Sequence, residues 1–146
     1  MTKPIGVVVC MLLAAGAASV FAADPCADAA LIQKATSAQS LARAKQYPQA
    51  EAAARAVVTA CPNQPVAIVA LGQSLAGQKK YDAAIATLSS AIAAKPDLAY
   101  AYFWRGQAYY GLRQKDKMVV DFTTFLKLAP TAPEASTVKQ LLGGIR

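Results

Sequence analysis

The chain has 146 residues, carries a formal net charge of +7 and contains no histidine. Histidine is the usual general base in catalysis and the commonest metal ligand in proteins. Because the eight acidic residues are also dispersed along the chain, we expect no enzyme activity, no bound metal and no cofactor.

The first 22 residues have the pattern of a secretory signal peptide. Lys3 precedes an apolar or small-residue run from Ile5 to Val20, and cleavage is predicted after Ala22. An uncleaved membrane anchor is the alternative, because the run is near the ~18-residue minimum for a membrane span. The high alanine content of the run and the small residues just before the cleavage site favour removal of the segment by signal peptidase. We therefore predict a periplasmic or secreted protein whose single domain covers residues 23–146.

Most of this domain repeats with a period of 34 residues. A proline, a small residue and a larger side chain keep that spacing: Pro62, Pro96 and Pro130; Ala38, Gly72 and Gly106; Leu41, Leu75 and Tyr109. A fixed period of this length indicates stacked structural repeats. We place them at residues 31–64, 65–98 and 99–132.

Each repeat is predicted to consist of two antiparallel helices. Apolar residues recur at three- and four-residue intervals, and no stretch alternates with the period of two that a strand requires. The proline near the end of each repeat stops its second helix, because proline cannot continue the hydrogen-bond ladder. The small residue of each repeat is expected to let the paired helices approach closely. The fold class predicted from the sequence is therefore all-α.

The two cysteines of the domain are predicted to form a disulfide. Asp24 and Pro25 indicate a helix start that places Cys26 in the first turn of the opening helix, and Cys61 follows the second helix. Both thiols then lie at the same end of an antiparallel pair, where a bridge would stabilise the fold by roughly 3–4 kcal/mol. A redox-active pair is the alternative, but such pairs usually have the Cys-x-x-Cys spacing.

A seventh helix is predicted after the third repeat, over residues 132–143. Thr131 and Glu134 have the spacing of a capping box, and Gly143 with Gly144 ends the segment. A stacked-repeat protein needs such a terminal helix to cover its last apolar face.

The repeats resemble the tetratricopeptide repeat family. The resemblance is carried by these residues: in the middle repeat Leu71, Gly72, Leu75, Tyr81, Ala84, Leu88, Ala91 and Pro96; in the third Tyr102, Gly106, Tyr109, Phe122 and Pro130; in the first Ala38, Leu41, Tyr47, Ala50 and Pro62. The third repeat departs from the family pattern at Lys115 and Met118. The resemblance covers nearly all of residues 23–146, and it implies a right-handed α-solenoid of three helix pairs plus a capping helix.

The family binds its ligands on the concave wall lined by the first helix of each pair. Carried over to this chain, the inner-face positions give a glutamine ladder and an aromatic cluster as the partner-binding residues: Gln39, Gln73 and Gln107; Tyr100, Phe103, Trp104 and Tyr110. Glutamine amides can pair with the backbone of an extended peptide, and aromatic side chains are typical binding anchors. Alternatively, the seventh helix covers part of the cluster and makes it core.

Chaperone-binding members of the family hold a terminal carboxylate with lysine, arginine and asparagine on that wall. The corresponding positions in this chain carry none of these: Ala35, Gln39, Ala70, Tyr100 and Trp104. The resemblance therefore gives no reason to expect that this chain binds a terminal carboxylate.

Seven basic residues fall at the turns inside the repeats, and stacking would align them along one side of the solenoid. We call this set the basic edge: Arg43, Lys45, Lys79, Lys80, Arg113, Lys115 and Lys117. Its field could attract an acidic protein or an anionic lipid surface. A set of solvated turns without a function is the simpler interpretation, so membrane contact is not favoured. Nucleic acid is not expected, because the chain is predicted to be exported and has no nucleic-acid-binding motif.

Together these patterns predict a non-catalytic interaction module that holds an extended segment of another protein in its concave groove. For an exported bacterial-type member, the resemblance implies a scaffold or assembly factor of the cell envelope. The alternative is an envelope accessory that binds anionic partners or lipid through the basic edge.

Overall fold

A computed structural model describes residues 25–145, and the predicted signal peptide lies outside this range. The described residues form a short 3-10 turn, Pro25–Ala27, and seven α-helices without any strand. The helices are α1 Ala29–Arg43, α2 Tyr47–Ala60, α3 Pro65–Gly77, α4 Tyr81–Ala94, α5 Ala99–Gly111, α6 Lys115–Leu128 and α7 Ala135–Gly143. None of these helices has the length and hydrophobicity required to cross a membrane.

The first six helices form three stacked hairpins. Each helix packs against the next one in the chain, and α3 also packs against both α1 and α5. Helices α1, α3 and α5 therefore form one layer, and the all-α solenoid predicted from the sequence is confirmed.

The paired helices approach closely where the sequence has its periodic small residue. A Cβ atom added at Gly72 would overlap Leu88, and one at Gly106 would lie 2.7 Å from the Phe122 ring. Both contacts join positions sixteen residues apart. The expectation that these glycines permit close helix packing is confirmed.

Tyrosines at the start of the second helices join one repeat to the next. A Cβ atom at Gly77 would overlap the ring of Tyr47, and one at Gly111 would overlap the ring of Tyr81. In the third repeat Lys115 takes the place of the tyrosine, and its Nζ donates to the carbonyl oxygen of Ile145 at 3.1 Å. This departure from the family pattern thus exchanges an aromatic contact for a hydrogen bond to the C-terminal segment.

The first helix begins later than predicted. Asp28 caps α1, and its Oδ1 accepts a hydrogen bond from the Ala30 backbone N–H at 2.8 Å. Cys26 belongs to the separate turn Pro25–Ala27 instead of the first turn of α1, so that part of the prediction is wrong. Asp28 is the stronger helix start because its side chain accepts the N–H two residues later.

The structure pairs Cys26 with Cys61 in a disulfide. The bond joins the turn before α1 to the end of α2, with the two Cα atoms 5.2 Å apart. This separation is within the usual range for a disulfide. Formation of this bond in the cell stays a prediction.

The capping helix also begins later than predicted, at Ala135 instead of residue 132. No side chain caps it, so the predicted capping box of Thr131 and Glu134 is wrong. The reason is that the Glu134 carboxylate accepts a hydrogen bond from the Tyr100 hydroxyl at 3.0 Å. The loop before α7 is therefore fastened to α5.

Candidate partner-binding groove

A groove runs across the layer formed by α1, α3 and α5, and the loop between α6 and α7 contributes to its rim. It encloses a cavity of about 440 Å³, a size within the range of protein ligand sites. Its lining residues are Gln39, Ala42, Arg43, Lys45, Tyr47, Val69, Gln73, Tyr100, Trp104, Pro133 and Glu134.

Two of the three predicted glutamines lie in this groove. Gln39 is partly buried, whereas Gln73 is 7% exposed. The Gln73 amide makes no hydrogen bond to any other residue in the described range. No side-chain nitrogen or oxygen of the described residues is both buried and without a hydrogen-bond partner, so the Gln73 amide reaches solvent at the groove and is open to a ligand. Gln107 is partly buried and does not line the groove.

The predicted aromatic cluster divides between the groove and the core. Tyr100 and Trp104 are one helical turn apart in α5 and both line the groove. Phe103 points instead towards α6 and is buried, with ring centroids 6.0 Å from Phe122 and 5.1 Å from Phe125. Its assignment as a partner-binding residue is therefore wrong, because neighbouring residues of a helix face directions about 100° apart.

The last predicted aromatic, Tyr110, is exposed but does not line the groove. It lines a separate cavity of about 400 Å³ together with Met118 and Ile145. The structure therefore does not bring Tyr110 together with Trp104 in one site.

The Tyr100 hydroxyl is held as a hydrogen-bond donor. Burial raises the pKa of Tyr100, and the neighbouring Glu134 raises it further, while Arg43 acts in the opposite direction. The Arg43 charge therefore reaches Tyr100 across the groove. Arg43 is exposed, and no salt bridge holds it within the described residues, so its cation is accessible to a ligand at this site.

The basic edge is not a uniform row of free cations. The Lys80 Nζ lies 3.0 Å from Glu51 Oε2, and Glu51 also binds Arg55 and Gln78. These hydrogen bonds, the one from Lys80 above all, lower the pKa of Glu51 to about 2.

Two further cations of the basic edge have partners in the chain. Lys115 donates to Ile145, as described above, and the Lys117 Nζ lies 5.4 Å from the centroid of the Tyr109 ring. A cation over an aromatic face is attracted by its quadrupole. Lys115 and Lys117 therefore make contacts that stabilise the third repeat, and they are less available to an external anion.

Three cations of the basic edge lie at the turns that end the first helices, where a positive charge stabilises the helix end. Lys45, Lys79 and Arg113 have positive φ values of 60°, 62° and 59°, each at the turn that ends a first helix. Their positive charge is favourable beside the negative end of the helix dipole. Of the seven basic residues, only Arg43 and Lys45 line the groove.

A buried ion pair in the third repeat was not predicted from the sequence. Arg105 donates to both carboxylate oxygens of Asp121, at 2.8 and 2.7 Å, and its Nη1 donates to Ser89 Oγ at 3.0 Å. The rings of Tyr102 and Tyr109 lie 5.7 and 5.9 Å from the guanidinium. The pair lies outside the groove and joins α4, α5 and α6. Arg105 and Asp121 are sixteen residues apart, the same separation as Gly106 and Phe122. This shared separation is the sequence feature that indicates their contact.

No group of three or more cysteine, aspartate or glutamate side chains in the described part of the chain could hold a metal ion. The groove instead combines two amides, three aromatic rings, two cations and one carboxylate that already has a partner. Such a set can form hydrogen bonds and apolar contacts, which are the interactions of a binding surface.

The chain matches the tetratricopeptide repeat family model over residues 71–143, half of its length. No curated protein matches it. Its fold is similar to the NMR structure of the first TPR domain of human RPAP3, with a TM-score of 0.67, 21% identity, and coverage of 78% of this chain and 93% of that one. It is also similar to the first TPR of Spaghetti (RPAP3) bound to the HSP90 peptide SRMEEVD, with a TM-score of 0.66, 21% identity, and coverage of 77% and 93%. From the match to its second and third repeats and its capping helix, the chain belongs to the tetratricopeptide repeat family.

Proposed function

We propose that this chain is a non-catalytic interaction module that holds an extended segment of a partner protein in the groove. We further propose that it does so outside the cytoplasm, as an exported scaffold or assembly factor of the cell envelope. The predicted signal peptide and the disulfide between Cys26 and Cys61 support this location, because disulfides form in oxidising compartments.

The unpartnered amide of Gln73 is the observation that carries the proposal. Most of the side chain is buried, its amide reaches solvent at the groove, and no described residue accepts or donates a hydrogen bond to it. An extended peptide has backbone N–H and C=O groups at regular intervals, which are the complement of a side-chain amide. Gln39 offers a second amide in the same groove.

Trp104 supplies the apolar part of the same surface. It lines the groove, and its ring packs edge-on against Phe103 with the centroids 4.9 Å apart. A ring that is already fixed loses little conformational freedom when a partner side chain packs on it. Trp104 is therefore the expected anchor for an apolar residue of the partner segment.

The peptide in the similar Spaghetti structure supports binding of a segment of this general kind, but not of that particular peptide. The positions that resemble the carboxylate clamp hold Gln39, Tyr100 and Trp104 in the groove, and none of these is a cation. Ala35 and Ala70, at the other two positions, are fully buried.

The alternative function, anion binding through the basic edge, has less support. Lys80, Lys115 and Lys117 have partners within the chain, and Lys45, Lys79 and Arg113 are placed at helix ends. Ionic strength separates the two functions, because attraction between exposed charges is screened by salt. Partner retention that persists at moderate salt and is lost in Trp104→Ala supports the groove.

Site-specific photo-crosslinking tests the proposed function. A benzoylphenylalanine residue at Gln39 should give a discrete adduct in the native envelope, and the adduct should disappear when Trp104→Ala is added. The same residue at Ser90, exposed on α4 and outside the groove, is the matched control. Equal adducts from both positions, or adducts unaffected by Trp104→Ala, would contradict a groove-bound partner. Mass spectrometry of the exported protein should also show a chain that begins at Ala23.

A further inference from the structure

We propose that the partner segment is acidic, with a side-chain carboxylate at Arg43 and an apolar residue against Trp104. This inference rests on the proposed function, because it names the chemistry of the segment that the groove holds. It is drawn from the arrangement of charge, amide and aromatic groups along the groove.

The charge of the groove is unbalanced. Arg43 and Lys45 contribute two cations, and Glu134 is the one carboxylate among the lining residues. Glu134 already accepts the Tyr100 hydroxyl at 3.0 Å. Neither cation forms a salt bridge within residues 25–145. A ligand carboxylate would therefore complete this site without displacing a contact that the protein makes itself.

Arg43 is the better placed of the two cations. It is the last residue of α1, and its charge influences Tyr100 on α5, so it acts across the groove. A guanidinium presents five donors in a rigid plane that matches a carboxylate. Arg43 is exposed, so it can reach a ligand carboxylate without a large desolvation cost, and the pair is expected to contribute no more than about 1 kcal/mol, or about fivefold in affinity.

The groups along the groove change in a definite order. Arg43 and the Gln39 amide both lie on α1, the Gln73 amide lies on α3, and Trp104 lies on α5. A bound segment that crosses this layer would meet a cation and an amide, then a second amide, and then an aromatic ring. This arrangement places its acidic residue and its apolar residue at opposite sides of the groove.

The carboxylate belongs to a side chain and not to the end of the partner chain. The groove continues past Arg43 to Lys45 and Tyr47, so the segment can extend beyond its acidic residue. The site thereby differs from a terminal-carboxylate clamp, whose positions here hold Gln39, Tyr100 and Trp104.

A peptide library tests this inference. The probe is a set of nonapeptides with acetylated and amidated ends, in which each position in turn is fixed as Asp, Asn, Leu or Lys. For the wild-type protein we expect Asp to be preferred over Asn by up to about fivefold at one position, and Leu to be preferred at another. Arg43→Gln should abolish the preference for Asp and keep the preference for Leu. Lys34→Gln, an exposed lysine of α1 outside the groove, is the charge-matched control and should change neither preference.

The possible outcomes separate this inference from the proposed function. Selection of Leu without a preference for Asp overturns the acidic segment and leaves the groove as a peptide site. A preference for Asp that survives Arg43→Gln but is lost in Lys79→Gln also overturns it, because recognition would then belong to the cations of the basic edge that lie outside the groove. No selection above the level of the Trp104→Ala protein overturns both proposals. Free C-terminal versions of the same peptides should bind without a further gain if the recognised carboxylate is that of a side chain.

Discussion

The first and third repeats use the same helical hairpin but fill it with side chains of very different size. At the closest approach the first repeat has Ala38 and Ala54, both fully buried, where the third has Gly106 and Phe122. The first repeat is joined to the preceding turn by the Cys26–Cys61 disulfide. The third has a dense aromatic cluster and the buried pair of Arg105 and Asp121.

The difference shows that the 34-residue period specifies positions rather than a particular set of contacts. A small residue in one helix can face alanine, leucine or phenylalanine in the other, provided that their combined volume fills the space. The first and third repeats each have only one neighbouring repeat. The first has the disulfide as an additional interaction, and the third has the buried ion pair. The following predictions test these interactions, beginning with the largest expected effect.

Removal of one partner of the buried ion pair should have the largest effect. Asp121→Ala leaves the Arg105 guanidinium, whose side chain is 18% exposed, without its carboxylate. We expect a loss of about 3–5 kcal/mol in the free energy of unfolding, because an uncompensated charge then lies among buried groups. Urea unfolding followed by far-UV circular dichroism measures this loss.

The middle repeat supplies the matched control for that variant. Leu71 and Thr87 occupy the positions that correspond to Arg105 and Asp121. The double variant Arg105→Leu with Asp121→Thr should therefore be much more stable than Asp121→Ala, since a buried ion pair can be replaced by packed side chains at little net loss. Equal destabilisation by both variants would show that the third repeat requires the ion pair for its packing.

Loss of the disulfide should destabilise the first repeat by about 3–4 kcal/mol, because its 35-residue separation restricts the unfolded chain. The double variant Cys26→Ser with Cys61→Ser and the reduced wild-type protein should have the same urea midpoint. Added reductant should not affect the variant. Two reactive thiols per chain in residues 23–146, measured under denaturing conditions, would contradict the bond itself.

The middle repeat can be converted to the packing of the first. Gly72→Ala should be destabilising by about 1–3 kcal/mol, because the new methyl group overlaps Leu88. Adding Leu88→Ala reproduces the Ala38 and Ala54 pair and removes the overlap. If overlap is the cause, Gly72→Ala should have a smaller effect in the Leu88→Ala background than in the wild-type protein, as measured by a double-mutant cycle of unfolding free energies. Equal effects in both backgrounds would contradict this explanation.

The architecture could be predicted because glycine and proline have strong local effects and recur at one spacing. Gly72 and Gly106 identify the helix contacts, and the helical period places Gln73 on the inner layer. Arg105 and Asp121 were not paired in advance, because the charge pattern alone does not show which cation faces which anion, and the sixteen-residue spacing that would identify the pair became evident only from the contact of Gly106 with Phe122. Glu134 was assigned to a capping box for a related reason. Its carboxylate had two possible donors, and the one on Tyr100 is distant in sequence.

The smallest expected effect is in the exposed network that joins the first repeat to the second. Glu51 binds Lys80 and Arg55, and these interactions lower its pKa from 4.5 to about 2. A carboxylate with a lowered folded-state pKa contributes stability above its unfolded pKa and loses it as the pH falls. The contribution should therefore be complete above about pH 4.5 and decline between pH 4.5 and 2.

The size of this contribution follows from the exposure of the partners. A shift of that magnitude would correspond to about 3 kcal/mol in a site protected from water. The side chains of Lys80 and Arg55 are 51% and 57% exposed, so screening by solvent reduces the expected contribution to about 1 kcal/mol. Glu51→Gln should lower the unfolding free energy by this amount at pH 7 and by progressively less as the pH falls towards 2. Added salt should weaken the difference at pH 7, because exposed ion pairs are screened. A difference between the two proteins that is constant from pH 7 to pH 2 would mean that Glu51 contributes through its packing and not through its charge.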